Sequence, residues 1–197
     1  MFQQTSCRSG IGRQTGMTLL EVLIALMVLS VGILGIASLQ MVSLQSTTNS
    51  NLNTHAMMLT NDLMDRIRAN RSAILDNKGM PDLGNYGKAA KAAFPDVSKL
   101  TAACYTSTGC TEEEMATNDL IQWSESLKRV LPITDSQLTA NAVICLDSSP
   151  DPVLSPDCDG LGSAVKIAFS WSESTVLDQQ AADPAATVQT YVTSFEP

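Results

Sequence analysis

From Val22 to Leu44 the chain runs for 23 residues without a charged side chain, and directly before this run stands a carboxylate, Glu21. A helix needs about 20 apolar residues to cross the hydrocarbon of a bilayer. The run is long enough, so any fold drawn for this chain has to place it in lipid or against other apolar helices. The acid is harder to place. A carboxylate deep in a spanning helix costs about 2.5–3.5 kcal/mol on insertion scales unless it finds a partner. Arg8 and Arg13 precede the run, and Arg66 and Arg68 are the next Lys or Arg residues after it. The positive-inside rule then sets the N-terminus in the cytoplasm and the body outside.

Three readings fit such a segment. One is an ordinary secretory signal, with a small-residue site at Gly35-Ile36-Ala37 and a mature chain that begins near Ser38. The second is a plain membrane anchor. The third accounts for Glu21. A cut after Gly16 creates an amine on Met17, four residues before Glu21 and about one helical turn away. That amine can pair within the chain or with the Glu21 of a neighbouring copy. In the second case the acid becomes an assembly device, because only a docked neighbour neutralises it inside lipid.

The stretch GMTLLEVLIAL, residues 16–26, resembles the class III signal of type IV pilins and pseudopilins: a glycine, the cut, then an apolar helix with Glu as its fifth residue. The resemblance implies that residues 1–16 are a prepilin leader. Prepilin peptidase would cut between Gly16 and Met17, Met17 would be N-methylated, and Glu21 would register one subunit against the next. Two departures are visible. Gln14 and Thr15 separate Arg13 from the glycine, where such leaders usually place a basic residue directly before it. Ser38 stands where major pilins often carry a helix-kinking proline. Gly32 and Gly35 lie inside the run. They are either tolerated, as glycine often is in membrane helices, or points of local softness.

The formal net charge is −8, and a chain that begins at Met17 loses Arg8 and Arg13 to reach −8 − 2 = −10. Such an acidic body argues against binding a phosphate backbone and suits a solvated extracytoplasmic domain. Of five cysteines, Cys7 lies in the leader. The other four, Cys104, Cys110, Cys145 and Cys158, follow a membrane-targeting segment, which suggests an oxidising compartment and disulfides. Four cysteines allow three pairings, and sequence alone does not choose. The local pairing, Cys104 with Cys110 and Cys145 with Cys158, is the expectation. A zinc site fits poorly, with C-x5-C and C-x12-C spacings and one histidine, His55, expected to be an ordinary helix residue. No cofactor or metal is expected.

Beyond the run, Ala56, Leu59 or Thr60, Leu63, Ile67 and Ile74 recur at helical steps, so one helix is expected from Met17 to about Asp76, about 90 Å at 1.5 Å per residue. Its parts are residues 17–44, the membrane and filament-packing helix, and 45–78, the amphipathic continuation. Met57, Met58 and Met64 are expected to pack rather than bind copper. Gly79 and Pro81 are stop signals, and residues 79–197 form the head. There, 79–110 looks irregular, with KAAKAAF a short helix. TEEEMATNDLIQWSESLKRVLP is a second helix, with a capping box at Thr111 and Glu114 and a buried face at Ala116, Leu120, Trp123, Leu127 and Val130. Period-two patterns mark strands at 141–147, 163–173 and 186–195, with Val165, Ile167, Phe169 and Trp171 on one face. The Pro- and Asp-rich loop between the first two strands lacks the further ligands an EF-type calcium site needs.

Within the pilins, DRIRANR (65–71) resembles the minor pilins known as type IV pilus modification proteins, the PilV branch. So do Cys104 and Cys110, the Met115, Ala116, Asp119, Leu120 and Trp123 pattern, Leu131-Pro132, and a late FSW (169–171). The resemblance implies an α+β pilin fold, a long helix laid on a small antiparallel sheet. It implies a low-abundance subunit that helps start pilus assembly in a tip complex. Partners would be other minor pilins, the major pilin, prepilin peptidase and inner-membrane lipid. The subunit would wait in the inner membrane with its head in the periplasm, then enter the fibre. A minor pseudopilin of type II secretion and a secreted disulfide-bonded binding domain are the alternatives. No nucleophile, P-loop or acid–base set points to catalysis.

Overall fold

A computed structural model describes residues 16–76, 78–149, 158–173 and 187–197. Residues 1–15, most of the segment expected to be a leader, and most of the Pro- and Asp-rich loop lie outside the described residues. The chain divides into two compact units, residues 1–44 and 45–197. Three α-helices are described, α1 (Leu19–Ala69), α2 (Glu112–Val130) and α3 (Asp135–Asn141). Three strands follow, β1 (Val143–Asp147), β2 (Ala164–Glu173) and β3 (Thr187–Phe195). This is the α+β pilin arrangement expected from sequence.

The described residues of the second unit share a single core. The later part of α1 buries Ala56, Thr60, Leu63 and Ile67, the three-to-four-residue stripe of an amphipathic helix. Against it pack Ala116, Leu120, Trp123 and Leu127 of α2 and Val165, Ile167, Phe169 and Trp171 of β2. The Trp123 ring meets Phe169 edge-on at 5.7 Å. Its indole N–H donates to the Leu59 carbonyl at 2.9 Å, fastening α2 to α1 while satisfying a polar atom inside an apolar core. Each fully buried side chain of this size contributes about 1.5–3 kcal/mol.

The strands form one antiparallel sheet in the order β1-β2-β3. Val143 opposes Ala168 on one side of β2, and Val165 opposes Phe195 on the other. The sequence marks one buried face on β2, but the strand is buried on both. Lys166, Ala168 and Ser170 are as enclosed as the apolar set, and the Lys166 ammonium lies 3.4 Å from the buried Asp147 carboxylate.

Several boundaries differ from expectation. The α-helix ends at Ala69, not near residue 76 or 78, and Arg71–Ile74 form a 3-10 turn. Asn70 stops it: its backbone leaves the helical region, at φ −102 and ψ 52, and its side-chain amide donates to the Glu112 carbonyl at 2.8 Å. Gly79, at φ 76, serves the turn that follows instead. There the Asp76 carboxylate accepts the N–H groups of Lys78 and Met80 at 2.8 and 2.7 Å. KAAKAAF is no helix. Lys88 bridges to Ile144 as a short extension of the sheet, and Lys91 takes φ 63 in the turn beyond. Val130 is partly open, and Leu131, whose backbone turns extended after α2, takes the buried place. Met57 and Met58 face outward, while Met64 packs against the core as expected. The helix α3 has no apolar period to reveal it, but Thr134 and Gln137 form a complete capping box at its start.

Candidate processing and assembly site

The first unit presents its N-terminal segment in the open. Gly16, Met17 and Thr18 are non-helical, and α1 begins at Leu19. The Thr18 hydroxyl accepts the Glu21 N–H at 3.3 Å. Its carbonyl accepts the N–H groups of Glu21 at 3.0 Å and Val22 at 3.3 Å. Thr18 is therefore the N-cap, and it satisfies donors that a first helical turn otherwise leaves without partners. Glu21 falls at the third helical position, where the helix dipole favours a negative charge.

Thr18 and Glu21 have the S/T-x-x-E spacing of a capping box. At Thr111 and Glu114 both halves of that motif form, the carboxylate accepting the N–H of the capping residue. At Thr18 only the hydroxyl half forms. Among the described residues, the exposed Glu21 carboxylate has no hydrogen-bond or ion-pair partner. Every Val, Leu, Ile and Met side chain from Met17 to Leu44 is open as well. The helix is long and apolar enough to cross a membrane. The hydroxyls of Ser30 and Ser38 donate to the carbonyls of Met27 and Gly35 at 2.8 and 2.9 Å, so each polar side chain is satisfied within its own helix. The helix continues through Gly32 and Gly35, and a Cβ added at either, or at Gly16, would meet no atom within 4 Å. Among the described residues no contact therefore requires glycine at those three positions.

In the second unit the DRIRANR segment is the hub of a polar clamp. The Arg66 guanidinium donates to Asp62 at 2.8 Å, to Asp119 at 3.1 Å and to the Gln122 amide oxygen at 2.8 Å. The Tyr86 hydroxyl donates to the other Asp119 oxygen at 2.5 Å, and Gln122 donates in turn to the Tyr105 hydroxyl. Burial, then the bond to Asp119, push the Tyr86 hydroxyl well above its usual range. Gly84 makes room for this: its φ is +48, and a Cβ there would sit 2.8 Å from the Ala73 carbonyl oxygen. The clamp ties the end of α1 to α2 and the loop between them. The sequence marks Arg66 and Asp119 only through a resemblance, and neither their pairing nor Tyr86 is readable from spacing.

The four cysteines are joined as Cys104–Cys110 and Cys145–Cys158, with Cα atoms 4.7 and 6.0 Å apart. One bridge closes the loop before α2 and the other fastens the loop after β1. Asp159 of that second loop accepts the backbone N–H groups of Ser148 at 3.1 Å and Leu161 at 2.8 Å, while residues 150–157 lie outside the described residues. Among the described residues no three His, Cys, Asp or Glu side chains are grouped to hold a metal ion. His55 is an exposed helix residue.

Two family profiles match the chain, and they meet end to end. The prokaryotic N-terminal methylation motif matches residues 11–37, and a profile described as type IV pilin Tt1218 matches residues 38–121. The first covers Gly16, Met17 and Glu21, and the second covers Arg66, Tyr86 and Asp119. No curated protein and no solved structure matches.

Proposed function

The chain belongs to the type IV pilin superfamily, and from that membership we propose that it works as a minor pilin of the PilV branch that helps start pilus assembly. Prepilin peptidase cuts between Gly16 and Met17, and Met17 becomes the N-methylated first residue. The subunit waits in the inner membrane with its N-terminus cytoplasmic and its head in the periplasm. It then enters the fibre or its tip beside other minor pilins and the major pilin.

One observation supports this reading most: a carboxylate, unpartnered among the described residues, at the fifth position after the cut, at the start of a stretch, Met17 to Leu44, whose Val, Leu, Ile and Met side chains are all open. In lipid an unpaired carboxylate is costly, and a neighbour's terminal amine offers it a charged hydrogen bond. Two subunits that dock in register relieve that cost, and two that dock out of register do not. The minor-pilin assignment rests on the resemblance of DRIRANR and the α2 pattern, of which Arg66 and Asp119 meet in the clamp. Glu21→Ala is expected to leave the head folded while membrane-held subunits fail to enter the fibre. The check is immunoblotting of sheared fibres against membranes; incorporation equal to that of the unmodified chain would sink the proposal.

A further inference from the structure

The position of the helix start bears on how the leader is removed. Cleavage at Gly16–Met17 is hydrolysis: water adds its hydroxyl to the Gly16 carbonyl carbon and its proton to the Met17 nitrogen, and the amide bond between them breaks. A peptidase needs that bond in backbone it can grip from both sides, and an amide already bonded within a helix is closed to it. In this chain the bond lies just outside α1, with Met17 open to solvent and, among the described residues, no atom within 4 Å of a Cβ built on Gly16.

What holds the helix back is Thr18. In a regular α-helix the Glu21 N–H would donate to the carbonyl four residues earlier, that of Met17, and the Leu20 N–H to that of Gly16. Both bonds would wind the helix over the scissile amide. The pressure to form them is strong at a membrane, where an N–H without water or carbonyl is costly. Here the Glu21 N–H is already taken by the Thr18 hydroxyl and carbonyl. Met17, Leu19 and Leu20, on either side of Thr18, carry no side-chain oxygen, so neither immediate neighbour can supply this stop.

We propose that Thr18 is a positioning residue for leader removal, which ends the helix short of the Gly16–Met17 bond and keeps that bond open to the peptidase. The proposal rests on the prepilin reading, and it concerns cutting rather than the later docking of Glu21. It predicts a defect before assembly begins.

The test is the rate of leader loss from the full-length chain in detergent micelles, incubated with a prepilin peptidase and followed by intact mass. Thr18→Val keeps the shape and loses the acceptor; it should be cut about fivefold more slowly, the population change that loss of one N-cap produces. In the same variant, hydrogen exchange at the Leu20 amide should slow as the helix reaches back. Thr18→Ser and Thr18→Asn, both good caps of different shape, should restore the rate. Cutting of Thr18→Val at the unmodified rate would overturn the proposal. So would slow cutting of Thr18→Asn, since that would mean the enzyme reads the threonine itself. If the unmodified chain is left whole while a known prepilin is cut, the prepilin reading falls and takes the proposal with it.

Discussion

Lys88 shows how one side chain can join three pieces of chain. It is buried, and its ammonium donates to the carbonyl of Ala142 at 2.5 Å, with those of Thr139 and Ala89 at 3.4 Å. It also lies 5.1 Å from the centre of the Phe94 ring. Two of those carbonyls close the C-terminus of α3, where a cation suits the helix dipole. Burial lowers its pKa from 10.5 to about 8. The sign follows from linkage. Between about pH 8 and 10.5 the unfolded chain holds this proton more firmly than the folded one, so stability from Lys88 rises with pH across that window. Tyr86 acts in the other direction. Its raised pKa means the folded state keeps a proton that the unfolded state gives up above the ordinary tyrosine value of 10.0, so its contribution is full below that pH and lost above it. Chemical denaturation of the head between pH 7 and 10 should show the rise in the unmodified chain and a flat line in Lys88→Met. Asp119 is the other residue to test. Asp119→Ala leaves the buried Tyr86 hydroxyl without its acceptor and removes one of three acceptors of the half-buried Arg66 guanidinium, and should cost about 2 kcal/mol; a thermal midpoint unmoved by the change would argue that the clamp around Arg66 contributes nothing.

At the scale of elements, the two bridges and the caps set how firmly the loops of the head are held. The Cys145–Cys158 bridge closes a loop with a sequence separation of 13, and loops of that size restrict the unfolded chain by about 3 kcal/mol. Cys145→Ser or Cys104→Ser should therefore lower the stability of the head by about 2–4 kcal/mol; identical melting with and without reductant would exclude a structural role for both bridges. Strands and long helices were legible in the sequence because their periods are: Val165, Ile167, Phe169 and Trp171 alternate, and Ala56, Thr60, Leu63 and Ile67 step by three and four. What was not legible lacks a period. Lys88 and Lys166 are buried cations, and lysine is so seldom enclosed that composition argues against it. KAAKAAF has good helix formers, yet Lys88 is drawn into pairing with Ile144 in both directions, at 2.8 and 2.9 Å, and tertiary contact outweighs propensity. The end of α1 at Ala69 depends on Asn70 reaching Glu112, 42 residues on, which no local rule contains. Thr18 and Thr134 were legible in principle, since both begin a T-x-x-E or T-x-x-Q capping signal.

For the whole molecule, the two units answer different demands. The described residues of 45–197 gather most of their large apolar side chains into a core around Trp123, Phe169 and Trp171. Residues 17–44 bury almost none of theirs, and so continuous an apolar surface must be covered by lipid or by other helices. A retained helix makes the protein a membrane subunit that assembles, and a removed helix leaves a soluble head. The intact mass of the mature protein from its native cell decides between them. The expected result is a chain that begins at methylated Met17 and sediments with membrane. A chain that begins near Ser38 and stays in the soluble fraction would contradict it, because Glu21 and the apolar helix would have been discarded before any subunit could dock.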